Sequence, residues 1–259
     1  MRWIIWAGLM MLCLAGLNAC LPGAAPLSLL PSITAPAPSQ TPTATIVWFP
    51  PTATFTPLPT VTLSITPTLD TRPRYGNLIF QDDFTQPENW TMGKMSAGNI
   101  ALGINELSLG VSQPPGYLYS MRRTTTLDDF YLEITASPSI CRGKDEYGLL
   151  LRVSASSDFF RFGLNCAGEA RLDRYLAGQA SVSYPPTPNG AVPPGAPSSS
   201  RLAVWAVQRD FRFYVNGVFL FSIRDASLPA GGLGLYARAA GPDTVTVNFS
   251  DLKVYQAAP

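Results

Sequence analysis

From residue 75 onward, apolar side chains fall on every second position in short runs that break at turn residues, the period expected of half-buried β-strands. Phe130, Leu132 and Ile134 alternate with Tyr131 and Glu133. Leu149, Leu151 and Val153 alternate with Leu150 and Arg152, and Phe160, Phe162 and Leu164 with Arg161 and Gly163. Ile100, Leu102 and Ile104 lead through Asn105 into Leu107, Leu109 and Val111, which predicts a hairpin. The clearest turn is Asn216-Gly217, between Phe211-Arg212-Phe213-Tyr214-Val215 and Val218-Phe219-Leu220-Phe221-Ser222, because a type I′ turn needs two positive φ angles that Asn and Gly adopt cheaply. Val245, Val247 and Phe249 hold odd positions while the apolar set resumes at Leu252 and Val254, so a β-bulge is expected at Ser250-Asp251. Pro185-Pro186-Thr187-Pro188-Asn189-Gly190 through Pro193-Pro194-Gly195 cannot belong to a central strand and predicts a long loop. About a dozen strands and no sustained helical period predict an all-β domain over residues 74–259.

The first 73 residues follow other rules. Residues 3–17 are an apolar run about as long as a signal h-region and short of the ~20 apolar residues a spanning helix needs. The run ends in Leu17-Asn18-Ala19-Cys20, which resembles the lipobox of bacterial lipoproteins. That resemblance implies a signal peptide over 1–19, cleavage before Cys20, a diacylglyceryl group on its sulfur and an acyl chain on the new amine. Two or three such chains, each adding about 0.8 kcal/mol per buried methylene, hold a protein at a membrane. A cleaved secretory signal with an incidental cysteine is the alternative. Residues 20–73 then turn to Pro, Thr, Ala and Ser, as in Thr41-Pro42-Thr43-Ala44-Thr45, a composition that favours solvated extended backbone. The expectation is a lipid-anchored protein on the cell membrane or outer envelope, facing away from the cytoplasm, with a disordered tether of about 160 Å at full stretch. The patch Ile46-Val47-Trp48-Phe49 interrupts the tether's polar-small character.

Charge excludes some partners. The formal net charge is +1, and acids and bases balance within residues 74–259, so no basic surplus marks a nucleic-acid partner. Histidine is absent, which removes Ser-His, Cys-His and His-zinc chemistry. Of four cysteines, Cys13 lies in the signal, Cys20 is the anchor, and Cys141 and Cys166 remain in the exported domain. An even pair outside the cytoplasm most often forms a disulfide, here adding about 3 kcal/mol by loop entropy, with two buried thiols as the alternative.

Taken together, Gln81-Asp82-Asp83-Phe84 with Trp90, Glu146-Tyr147-Gly148-Leu149-Leu150-Leu151-Arg152, Phe160-Arg161-Phe162, Phe213-Tyr214-Val215-Asn216-Gly217, Gly232-Leu233-Gly234-Leu235 and Asn248-Phe249-Ser250-Asp251-Leu252-Lys253-Val254 resemble a concanavalin A-like lectin/glucanase domain. The resemblance extends to laminin G-like jelly rolls and to bacterial domains of the 3-keto-disaccharide hydrolase type. It implies a two-sheet antiparallel jelly-roll β-sandwich, with Trp90 as a core plug. Members bind glycans, hydrolyse them or serve as protein adhesion modules, and fold alone does not choose.

The residues favour binding of a polysaccharide or oligosaccharide over catalysis. A retaining glucanase needs two carboxylates about 5 Å apart. The nearest approach in sequence is Asp128-Asp129 with Glu133, for which a turn followed by a solvated strand face is the simpler reading. For sugar recognition, Arg152, Arg161, Arg171, Asp173 and Tyr175 fall opposite the apolar set and are expected to form a polar stripe, with Trp205, Arg212 and Tyr214 lining the same concave side. An outer face laced with weak ion pairs is the alternative. The resemblance also implies a candidate structural calcium ion where the terminal strands meet, with Asp83 and Asp251 as carboxylate ligands. No other cofactor is expected. A glycoside-processing hydrolase and a protein-binding adhesion or scaffold module remain the rival functions.

Overall fold

The computed structural model describes residues 71–155 and 157–258, all within the compact unit Ile65–Pro259. The expected signal peptide, Cys20 and most of the expected tether lie outside the described residues. Alternation becomes fifteen strands: β1 (Tyr75–Asp82), β2 (Gly93–Met95), β3 (Gly98–Leu102), β4 (Leu107–Val111), β5 (Gly116–Met121), β6 (Phe130–Ile140), β7 (Glu146–Ala155), β8 (Asp158–Asn165), β9 (Glu169–Leu176), β10 (Gln179–Pro188), β11 (Ser200–Val207), β12 (Asp210–Val215), β13 (Val218–Arg224), β14 (Gly232–Ala239) and β15 (Val245–Ala257). One nine-stranded sheet runs β13-β12-β11-β6-β15-β4-β3-β2, with β1 also pairing β15, and a six-stranded sheet runs β10-β9-β8-β7-β14-β5. All pairings are antiparallel, and the domain is a jelly-roll β-sandwich.

The core lies between the sheets, filled by the predicted apolar faces. Phe160 and Phe162 of β8 meet Phe211 and Phe213 of β12 at ring-centroid distances of 5.0 and 4.8 Å. Trp90 is buried against Phe84 and donates its indole N–H to Asp82 Oδ2 at 3.1 Å, as a core plug does. Asn216 and Gly217 take φ values of 52° and 77°, the two positive angles of a type I′ turn. In β15 the register jumps between Ser250 and Lys253, and Asp251 has φ 53°. That bulge lets one strand pair with β4 through its first half and with β1 through its second.

Cys141 and Cys166 form a disulfide with Cα atoms 6.0 Å apart, both half-cystines buried. It ties the end of β6 in one sheet to the end of β8 in the other. The expected proline loop is shorter than its composition implied. Pro185, Pro186 and Pro188 extend β10, an edge strand where a missing N–H on the open side costs no ladder bond.

Candidate functional site

The face of the six-stranded sheet turned away from the core is built by alternate residues of five strands. β9 contributes Arg171, Asp173 and Tyr175, β8 contributes Phe159, Arg161 and Asn165, and β7 contributes Glu146 and Leu150. β14 adds Tyr236 and Arg238, and β5 adds Tyr117, Tyr119 and Met121.

At the centre, Arg161 is buried beside three tyrosines, its guanidinium carbon 5.1 Å from the Tyr175 ring centre, 5.6 Å from Tyr236 and 5.7 Å from Tyr117. It donates to Asp173 Oδ2 at 2.7 and 3.3 Å and to the Tyr117 hydroxyl at 3.3 Å. Burial works against its charge, but Tyr236, Asp173 and Tyr117 more than offset that, so its proton is held more tightly than usual. Tyr236 lies fully buried beneath, its hydroxyl without a hydrogen-bond partner, and burial followed by the Glu146 carboxylate pushes its phenol pKa well up. Arg161 and Tyr117 therefore form a bridge across the sheet.

On one side of that bridge is a polar hollow of about 680 Å³, lined by residues including Lys144, Glu146, Asn165, Glu169, Arg171 and Arg238. Glu146 Oε1 accepts from Arg171 at 3.1 Å and from Arg238 at 3.0 Å, and Arg171 also donates to Asp173 at 2.7 Å. The disulfide stands beside this hollow, because residues 142–145, which follow Cys141, supply its rim and Asn165 precedes Cys166. On the other side is an apolar trough of about 370 Å³, with Met121, Leu150 and Val153 between Tyr119 and Phe159. Tyr117 stacks on Tyr119 at 5.8 Å and Phe159 on Tyr175 at 4.7 Å, so two aromatic pairs flank the face.

Of the residues expected in a ligand stripe, Arg161, Arg171, Asp173 and Tyr175 do come together. Arg152 does not. The β7–β8 ladder is irregular between Leu151 and Ala155, and there Arg152 adopts φ 49° and turns toward the other sheet. It is fully buried against Phe211 and donates to the carbonyls of Asp128, Gln208 and Leu228. Arg152 is a core staple, and the expectation of a ligand contact is corrected.

Trp205, Arg212 and Tyr214 are likewise separated from the stripe. They sit on the outer face of the nine-stranded sheet, across the sandwich from Arg161. The Trp205 indole N–H is shared by the carbonyls of Arg74 and Ala258, Arg212 stacks over its ring, and the Tyr214 hydroxyl donates to the carbonyl of Thr71. The start and end of the domain thus cover both rings, and neither is a platform for a ligand.

Asp129 accepts from the Gln208 N–H, while Glu133 pairs with Arg201 at 2.7 Å, so these acids do separate structural work. Asp83 is held by Thr85, whose hydroxyl and N–H keep its carboxyl pKa low, and Asp251 faces Thr135 and Ser250. Among the described residues no group of three or more Asp, Glu or Cys side chains stands ready to hold a metal ion.

Glu146, Tyr117, Tyr119, Tyr236 and Arg238 were not singled out from sequence. Their alternation was visible in Tyr117-x-Tyr119-x-Met121 and Gly234-x-Tyr236-x-Arg238, but the order β7-β14-β5 that brings them beside Arg161 joins segments far apart in the chain.

No protein-family model and no curated protein matches the sequence. Solved structures do resemble the domain. A β-glucanase of Bacillus licheniformis superposes with a TM-score of 0.53 at 12% identity, covering 70% of this chain and 99% of that one. The carbohydrate-binding module CBM66 of Bacillus subtilis gives 0.50 at 14% identity, covering 65% and 96%. A Bacillus subtilis protein with a galectin-like fold gives 0.52 at 14% identity, covering 72% and 99%. At these identities the likeness is one of fold, and it places the chain's described domain among the jelly-roll β-sandwiches on which carbohydrate-binding modules and glycoside hydrolases are built.

Proposed function

We propose that this domain binds a carbohydrate on the outer face of its six-stranded sheet and does not turn it over. The observation that carries the reading is the pairing, on one face, of a hollow lined by guanidinium–carboxylate pairs with a trough walled by aromatic rings. Sugars present hydroxyls to the first and flat C–H faces to the second. The volumes, about 680 and 370 Å³, fall within the roughly 300–1,000 Å³ typical of ligand clefts.

The carboxylates favour binding over hydrolysis. A glycosidase needs one carboxyl that carries a proton in apolar surroundings and another free to attack. Here Glu146 and Asp173 are each engaged by two guanidinium groups through hydrogen-bonded ion pairs. Both acids are thus held by arginines rather than left free to attack.

Tyr119 is 38% exposed at the trough wall and is the ring best placed to meet a sugar. Once a glycan array has found a ligand, Tyr119→Ala is expected to weaken it about tenfold in calorimetric titration, the equivalent of one lost stacking contact. Unchanged affinity in this variant removes the site assignment. Release of reducing sugar from the same panel would hand the site to the hydrolase reading.

We also propose that the chain is lipid-anchored through Cys20, a reading that rests on the lipobox resemblance and that the disulfide supports as a mark of an oxidising compartment. Cys20→Ser is expected to move the protein from the membrane to the soluble fraction, as followed by fractionation and metabolic labelling with a fatty acid. Retention of label on Cys20→Ser overturns the anchor.

A further inference from the structure

On the reading that this face binds a glycan, we infer that its ligand is an acidic glycan, one bearing a carboxylate or sulfate that enters the polar hollow. The sequence hides this, because acids and bases balance in number. In space they are segregated by depth. Asp145 is buried, with one oxygen accepting from the N–H groups of Ala240 and Gly241 and the other from that of Arg142. The Glu146 and Asp173 side chains, 3% and 2% exposed, are used on Arg161, Arg171 and Arg238.

The cations stand in front of these acids. Arg142 is 82% exposed, and Lys144 is exposed with no carboxylate in ion-pair reach among the described residues. Arg238 is 30% exposed and spends only Nη1 on Glu146. With half-buried Arg171, four cations line the hollow; the accessible acids opposing them are Glu169, occupied by Asn165, and Asp243, 3.7 Å from Arg142. Cations outnumber acids at the accessible surface of the hollow, which raises the local concentration of anions, and the planar guanidinium of Arg238, with Nη2 not used on Glu146, matches a carboxylate or sulfate.

The test uses the full chain and three probes: trigalacturonate, a sulfated disaccharide and the neutral galactose trisaccharide. Titrations run at 50 and 500 mM salt. An acidic probe is expected to bind at least tenfold tighter than the neutral one and to lose at least fivefold in affinity at the higher salt. Arg238→Gln is expected to weaken the acidic probe about tenfold. Lys144→Gln, which breaks no contact in the fold, is expected to weaken it about threefold; in both variants the acidic probe is expected to lose more affinity than the neutral one. Equal or tighter binding of the neutral trisaccharide, insensitive to salt, overturns the inference while leaving the glycan reading intact. Failure of every probe and of a wider neutral array removes both.

Discussion

Arg152→Ala is expected to destabilise the domain by about 3–5 kcal/mol, the combined cost of truncating a large core side chain and leaving buried acceptors unpaired. The side chain is 0% exposed, and its guanidinium donates at 2.6 Å to Gln208, 2.7 Å to Asp128 and 3.0 Å to Leu228. These three carbonyls belong to separate connections around one end of the sandwich, so a single residue closes that end. Burial pulls its pKa down despite the nearby Asp129 and Asp128. Truncation leaves three acceptors short of a partner and a void beside Phe211. For a domain of this size the loss corresponds to a fall in Tm of roughly 6–20 °C. Arg152→Met, which keeps most of the volume, is expected to recover part of the packing and none of the hydrogen bonds. Thermal melting within about 2 °C of the parent for Arg152→Ala would return the residue to the surface role its strand position suggested.

Gly163→Ala is the second large effect, and it links stability to the candidate site. A Cβ at Gly163 would stand 1.9 Å from the Tyr236 hydroxyl and 3.1 Å from the ring carbon that bears it. Tyr236 is fully buried below the Arg161–Tyr117 bridge, so it cannot swing aside without lifting that bridge. The expected cost is about 2–3 kcal/mol, in the range of overpacking a close-packed site, with loss of whatever ligand the face binds. Tyr236→Phe alone is expected to be neutral or slightly stabilising, because the hydroxyl it removes is buried and has no hydrogen-bond partner. In the Tyr236→Phe background the Gly163→Ala cost is expected to shrink by about 1–2 kcal/mol, the coupling of two residues in contact. Denaturant unfolding of the four proteins measures this. Additive costs would show that the glycine is kept for a reason other than the tyrosine above it.

The sequence by itself determined the class of fold and, where the ladders are regular, the face a side chain occupies. Alternation is a property of one strand, so Arg171, Asp173 and Tyr175 could be assigned to a polar face without knowing the neighbours of β9. Turn chemistry at Asn216-Gly217 and the inserted residue at Asp251 are equally local, and both are present as expected. The pairing of Cys141 with Cys166 was also legible, because they are the only two cysteines within residues 74–259.

Tertiary structure decided which faces meet. Trp205 and Tyr214 have the right composition for a sugar platform, but β11 and β12 belong to the other sheet and the domain's own ends cover them. Arg152 obeyed the alternation in sequence and left it in space, because one positive φ in an irregular ladder reverses a side chain's direction. The order β7-β14-β5, which sets Glu146 beside Arg238 and Arg161 beside Tyr117, is a choice among long-range pairings that no single segment encodes. The depth of each charge was undetermined for the same reason: a carboxylate becomes buried only when arginines from neighbouring strands close over it.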